Sequence, residues 1–151
     1  MTEAYERRLT ELRREIEMGG ARPAIIDTAV NELLADGDER LPSNLLSLLS
    51  DNAEYDEGMF SLIHAAESYD DSVYVHALLS VFASLASAAP RWASIVLMRV
   101  LNDSNAQLEM VRQLRDAPTS TKDSVREMCG RISEVSPQFL SKVIPVTLAS
   151  S

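Results

Sequence analysis

Cysteine is nearly missing from this chain. Cys129 stands alone, so no internal disulfide can form and a disulfide-stapled scaffold is excluded. Histidine is almost as scarce. His64 and His76 are twelve residues apart on separate predicted helices, whereas a histidine-ligated metal site wants closer spacing or more His and Cys. A di-iron bundle needs Glu-x-x-His twice, and only the reverse order, His64-Ala-Ala-Glu67, occurs. The five glycines build no phosphate-binding loop, and no serine sits in the strand-to-helix elbow that hydrolases use. The residues therefore point to no enzyme, no metal and no cofactor. Cys129 reads as a small core residue, with a reactive thiol as the alternative.

Basic residues are absent from the middle of the chain. Residues 41–90 carry seven acidic side chains and no Lys or Arg. Residues 1–40 carry ten acidic and six basic, residues 91–151 six acidic and eight basic, and the whole has a net charge of −9. A middle stretch that cannot neutralise its own carboxylates repels nucleic acid and attracts basic partners. Long apolar runs are missing too. The most apolar piece, 77–89, is interrupted by Ser80, Ser84 and Ser87 and stopped by Pro90, so no membrane span is expected. The first residues, MTEAYERRLTELRREIE, are charged and lack the apolar region of a secretory signal. A bacterial-type or general cytosolic protein, cytoplasmic rather than exported and forming a single helical domain over 1–151, is the expectation.

What the sequence has is helical periodicity. Tyr5, Leu9, Leu12 and Ile16 make a stripe over 2–18, Arg8 and Glu11 are surface neighbours on it, and Gly19-Gly20 ends it. Pro23 opens a second helix carrying Ile25, Ile26, Ala29, Val30, Leu33 and Leu34, which Gly37 stops. Pro42 opens a short third one with Leu45, Leu46, Leu48 and Leu49. Residues 59–102 then read as three helices in quick succession, 59–69, 72–88 and 90–102, the last two apolar nearly all round. A helix without a polar face must be surrounded by others, so this stretch is expected to be the core onto which everything else packs. Val73, Ala77, Leu78, Val81, Phe82 and Leu85 are its candidates in the middle helix. Further on, Ser104 with Gln107 reads as a capping box for a helix carrying Leu108, Val111 and Leu114. Val125, Met128, Cys129 and Ile132 mark the next, with Gly130 unfavourable in its middle. Phe139, Leu140, Val143 and Ile144 begin the last helix, where Pro145 is expected to kink or end it and the tail to fray. No period-two strand pattern survives. The expectation is an all-α protein of eight or nine short helices, either stacked antiparallel hairpins of α-solenoid, helical-repeat type or a compact bundle.

Carboxylates crowd the turns beside the first of the three central helices. Asp51, Glu54, Asp56 and Glu57 fall in DNAEYDEG, and Asp70 and Asp71 follow that helix. Asp56 is the expected N-cap, with Glu57 at the positive end of the dipole. This is not an EF-hand, because Ala53 and Asp56 stand where an oxygen ligand and a glycine are required. Two readings stay open on composition: a solvated cap, or a docking surface for a basic partner with Tyr55 and Tyr69 as apolar anchors.

Two motifs carry a family resemblance. One is Met59-Phe60-Ser61-Leu62-Ile63-His64-Ala65-Ala66-Glu67, followed by Tyr69 and Tyr74. The other is Ala89-Pro90-Arg91-Trp92, then Arg99-Val100-Leu101-Asn102-Asp103. Together, over about 45 central residues and with nothing added by the first or last forty, they resemble bacterial immunity proteins of polymorphic-toxin and contact-dependent growth inhibition systems, in particular the Immunity protein 30 group. The resemblance implies structural roles for Trp92, Arg99 and Asn102. It implies a protein that binds a cognate toxin C-terminal domain, often a basic nuclease, and neutralises it without chemistry of its own. The docking reading of the acidic turns then takes precedence. Arg99, inside an apolar run, needs a carboxylate partner, for which Glu67 is the candidate. A helical adaptor or scaffold binding a housekeeping protein is the competing function.

Overall fold

The computed structural model describes residues 2–151, with side chains from Glu3 onward. Nine α-helices and one 3-10 turn make up the described residues, with no strand among them, as the absence of period-two patterning predicts. The chain divides into two compact units, 1–69 and 70–151.

The first unit holds α1 (Thr2–Met18), α2 (Pro23–Asp36), α3 (Leu41–Ser47) and α4 (Asp56–Glu67). α2 and α3 both pack on α4, and α1 packs on α2. The α1 stripe is buried in full: Tyr5, Leu9, Leu12 and Ile16 all face inward. Polar contacts fix its position. Asn44 of α3 donates to the Tyr5 hydroxyl at 2.8 Å, and the Arg40 guanidinium lies 4.7 Å from the centre of that ring. Arg8 turns away from its helical neighbour Glu11. It reaches across to α2 instead, pairing with Asp36 at 2.7 Å and Glu32 at 3.2 Å. On α2 the inward face is Ile26, Val30 and Leu33, with Ile25 exposed. Pro23 stands at its start and Gly37, at φ 66°, closes it with an N–H bond to the Leu34 carbonyl, the left-handed cap that glycine tolerates best.

The second unit holds α5 (Asp71–Ala88), α6 (Pro90–Leu101), α7 (Ser104–Leu114), α8 (Thr119–Val135), a 3-10 turn at Pro137–Phe139 and α9 (Leu140–Ala149). α5 packs on α6, α7 and α8, and α9 packs on α7 and α8. The expectation that the whole 59–102 stretch forms one core is corrected here. α4 is the hub of the first unit and α5 the hub of the second. By length and mean hydropathy α5 also meets the requirement for a membrane span, contrary to the reading of its serines as interruptions. In the fold its Tyr74, Val75, Leu78, Leu79, Phe82 and Leu85 are buried against neighbours, while Ser80, Ser84 and Ser87 face outward.

Several local expectations fail for identifiable reasons. Val73 is exposed, because the inward face of α5 starts at Tyr74. On α7 the buried row is Ala106, Met110 and Leu114, a strict four-residue spacing that leaves Leu108 outside. The capping box at Ser104 does not form. Asp103, one residue earlier, takes the N-cap, accepting from the N–H groups of Asn105 and Ala106 at 3.0 and 3.2 Å, since a carboxylate suits the helix dipole better than a hydroxyl. Gln107 instead donates to the Lys142 carbonyl on α9 at 2.7 Å. α9 runs through Pro145 to Ala149. Ser141 and Pro145 are both exposed, so the carbonyl that loses its helical donor is open to water. Nor does the tail fray: Ser150 is buried and its carbonyl accepts from Arg126 at 2.8 Å.

Cys129 lies buried on α8, where burial pushes its thiol up to about 11 against an opposing hydrogen bond with Thr147. It stays protonated at neutral pH, which favours the core reading over the reactive one. Trp92 is wholly buried on the first turn of α6, with the Arg91 guanidinium 4.9 Å from its ring centre. Truncating so large a buried side chain leaves a cavity that the surroundings only partly fill, at a cost of about 3–5 kcal/mol. Trp92→Ala is therefore expected to unfold at clearly lower temperature and denaturant concentration than the parent. A melt within a few degrees of the parent would show that the ring contributes little to packing.

Candidate functional site

The acidic turn between α3 and α4 is shaped by the loop between α1 and α2, and one residue organises that loop. The backbone carbonyl of Glu15 accepts from Gly19 at 2.8 Å and from Ala21 at 3.1 Å. Its carboxylate accepts three N–H bonds from Arg22: from the backbone and Nε at 3.0 Å each, and from Nη2 at 2.6 Å. Those hydrogen bonds hold the Glu15 carboxyl below its ordinary range, winning over the burial that pushes it up. The loop so fixed contains two left-handed residues, Gly20 at φ 81° and Ala21 at φ 66°. Glycine accepts that conformation freely. Alanine pays about 1–2 kcal/mol for it, here while completely buried.

Gly20 then presents its carbonyl to the acidic turn, accepting from the N–H groups of both Glu54 and Tyr55 at 3.1 Å. Four residues on from Glu54, α4 comes so close to the same loop that a Cβ on Gly58 would stand 2.4 Å from the Ala21 carbonyl oxygen. Only glycine fits there without moving backbone. Gly19-Gly20 thus does more than stop α1, and Gly58 has a role that helical periodicity does not reveal. A glycine in the first turn of a predicted helix was the signal for close approach.

The turn presents its side chains unequally. Glu54 and Glu57 are exposed, Tyr55 is 39 % exposed, and Asp51 and Asp56 are half-buried. Asp56 is not the N-cap. It is the first residue of α4, and the cap position falls to Tyr55, without a side-chain bond. Asp56 and Glu57 both lie in the first turn, where the helix dipole favours carboxylates. One cation enters the neighbourhood from outside the 41–90 segment. Arg22, engaged by Glu15, is close enough to Tyr55 for the two to interact electrostatically.

The other predicted residues fall elsewhere. Tyr69 lies beyond the far end of α4, a helix about 18 Å long at 1.5 Å per residue that starts at Asp56. Its hydroxyl donates to the Asp38 carbonyl at 3.3 Å, and burial, with Asp38 adding to it, raises its pKa. Asp70 and Asp71 open the second unit, exposed, with Asp70 at the N-cap position of α5 but making no side-chain cap bond. Glu67 is half-buried at the end of α4 in the first unit, and Arg99 half-buried on α6 in the second. Asn102 is exposed after α6, its side-chain oxygen accepting from Lys142 of α9 at 2.5 Å. Among the described residues, no three His, Cys, Asp or Glu side chains lie close enough together to hold a metal ion.

Charge separates along the same line as the units. Residues 1–69 hold fifteen acidic and six basic side chains, while residues 70–151 hold eight of each. The first unit thus carries the entire net charge of −9.

The fold and this charge distribution define an all-helical protein with one strongly acidic unit. The model of the family described as Immunity protein 30 matches residues 13–110, more than half of the chain, and the chain belongs to that family. The match reaches well beyond the central motifs, back into α1 and on into α7, so the first forty residues contribute to it after all. Family membership implies that the protein binds and neutralises a toxin, and families of this kind are generally non-enzymatic. No curated protein and no solved structure matches the chain.

Substitutions at Gly58 and Glu15 test the architecture of the turn, with Gly130 of α8 as the contrast. Gly58→Ala forces backbone apart and is expected to destabilise by about 1–3 kcal/mol. Gly130→Ala, on an exposed position of α8 where an added Cβ meets nothing within 4 Å, is expected to stabilise by about 0.5–1 kcal/mol. Urea unfolding of both variants checks the opposite signs. Glu15→Gln is expected to lower the melting temperature at pH 7. The folded-state pKa of Glu15 is depressed, so its contribution is complete above its unfolded pKa, about 4.3, and is lost as pH falls through the folded value. The difference between variant and parent melting temperatures should therefore narrow progressively as pH falls below about 4.3. A difference that persists unchanged at pH 3 would mean the effect is packing, not charge.

Proposed function

We propose that this immunity protein neutralises its toxin in the cytoplasm by direct binding through the acidic end of the first unit, and that the toxin domain it meets is basic, a nuclease in a contact-dependent growth inhibition system. The observation that carries the reading is the concentration of the whole net charge in residues 1–69. A protein that cleaves nucleic acid must attract phosphates, and a surface of clustered carboxylates competes for the same cations. Glu54 and Glu57 supply exposed charge, and Tyr55 supplies an aromatic side chain beside them. Buried aromatics dominate many interfaces, while rim charges set association rate and salt dependence. The backbone bonds from the Gly20 carbonyl hold the turn in place before the partner arrives, which lowers the ordering cost of binding. Asp51 and Asp56 flank this centre. Tyr69, at the other end of α4, takes a secondary part.

The test is a titration against the cognate toxin domain. Glu54→Lys with Glu57→Lys is expected to slow association about tenfold or more at low salt without lowering the melting temperature, because exposed carboxylates contribute little to folding. Tyr55→Ala is expected to act on dissociation instead. Growth protection by the triple variant should fail. Unchanged affinity with full protection would move the binding surface off this turn.

A further inference from the structure

Arg22 is a cation that the fold fixes without using it up. Its Nε and Nη2 both donate to the Glu15 carboxylate, as does its backbone N–H. Nη1 makes no hydrogen bond among the described residues. A guanidinium has five N–H donors in a planar fork. Glu15 takes the edge made by Nε and Nη2, so the edge made by Nη1 and Nη2 stays open. The Arg22 side chain is 57 % exposed and that of Glu15 only 7 %. The pair therefore hides its anion and shows its cation. Arg8 and Arg40, also in the first unit, pair instead with carboxylates that are themselves partly exposed. The place is specific too. Gly20, two residues before Arg22, bonds the main chain of Glu54 and Tyr55, and Arg22 is within electrostatic reach of Tyr55.

We infer, on the reading of this turn as the toxin-binding surface, that Arg22 is its specificity determinant: it engages a carboxylate of the toxin domain beside the Tyr55 contact and repels partners that bring only cations there. Clustered carboxylates alone are a poor filter, because they draw in any basic protein. Discrimination needs an element that penalises the wrong partner. A fixed cation next to Glu54 and Glu57 is such an element. A polycation meets repulsion at that point, whereas a basic surface with one Asp or Glu set into it gains a charge-assisted pair. The open edge presents parallel donors, the geometry that two carboxylate oxygens match. Glu15 has already taken up the rotamer freedom of the arginine, so little further ordering accompanies binding. Arginine is also among the residue types that dominate interface energies.

The experiment measures two probes against the same variants: the cognate toxin domain, and a C-terminally amidated octalysine peptide, which has no carboxylate. Arg22→Gln is expected to weaken toxin binding at least about thirtyfold, as truncating one partner of a desolvated charge pair does. Octalysine binding is expected to tighten about two- to threefold in the same variant, because one repelling charge has gone. Arg22→Lys keeps a cation against Glu15 but loses the fork. It is expected to bind toxin at least about tenfold more weakly, with octalysine binding and circular dichroism as in the parent. Octalysine binding that does not tighten in Arg22→Gln overturns the inference, and a loss of both probes together would mean that Arg22 only holds the turn in shape. Parent-like toxin affinity in Arg22→Lys overturns it as well, since a point charge would then suffice. Unchanged toxin affinity in Arg22→Gln, with Glu54→Lys and Glu57→Lys still disrupting the complex, removes Arg22 and leaves the turn as the binding surface. Unchanged affinity in every one of these variants removes the turn itself.

Discussion

The first unit depends on one close approach, that of Gly58 in α4 to the carbonyl oxygen of Ala21. That contact requires a glycine on one side and a left-handed, fully buried alanine on the other. Such a backbone is held only when its surroundings over-determine it, and here they do. Glu15 binds the loop through its main chain and its carboxylate, and Gly20 passes the constraint on to Glu54 and Tyr55. A salt link that is structural in origin therefore sets the geometry of the acidic turn. Strain, charge and candidate binding residues converge within a few residues of one another, as expected where binding needs a pre-shaped surface.

The second unit is built on a different principle. α5 carries little charge and is surrounded by α6, α7 and α8. Its stability comes from apolar contact, with Phe82 and Leu78 inward and serines outward. Polar contacts serve to close its edges: Asp103 caps α7, Lys142 meets Asn102, and Arg126 takes the Ser150 carbonyl. The two units thus differ in what they offer a partner. One presents carboxylates on a fixed turn, and the other exposes aliphatic side chains on α7 and α9.

Helix type and number were determined by the sequence alone, because burying one stripe in every three to four residues leaves an unmistakable period. Pro23, Gly37 and Pro90 marked true ends, since their backbone limits act whatever the neighbours are. Cys129 was legible as core from the stripe it shares with Val125, Met128 and Ile132, and Trp92 as structural through the family resemblance. The family, too, was readable from 59–103. Tertiary structure decided the rest. It divided the apolar 59–102 stretch between two hubs, which no period encodes, and took Arg8 from Glu11 to Asp36 and Glu32. It chose Asp103 over Ser104 as a cap, and left Leu108, Leu140 and Ile144 outside, because an apolar residue is buried only if another helix arrives to cover it. Above all it brought Gly20 and Ala21 against Glu54 and Gly58. Residues more than thirty positions apart in sequence meet there through folded backbone, and the sequence carries no local trace of that meeting beyond a glycine where a helix would prefer another residue.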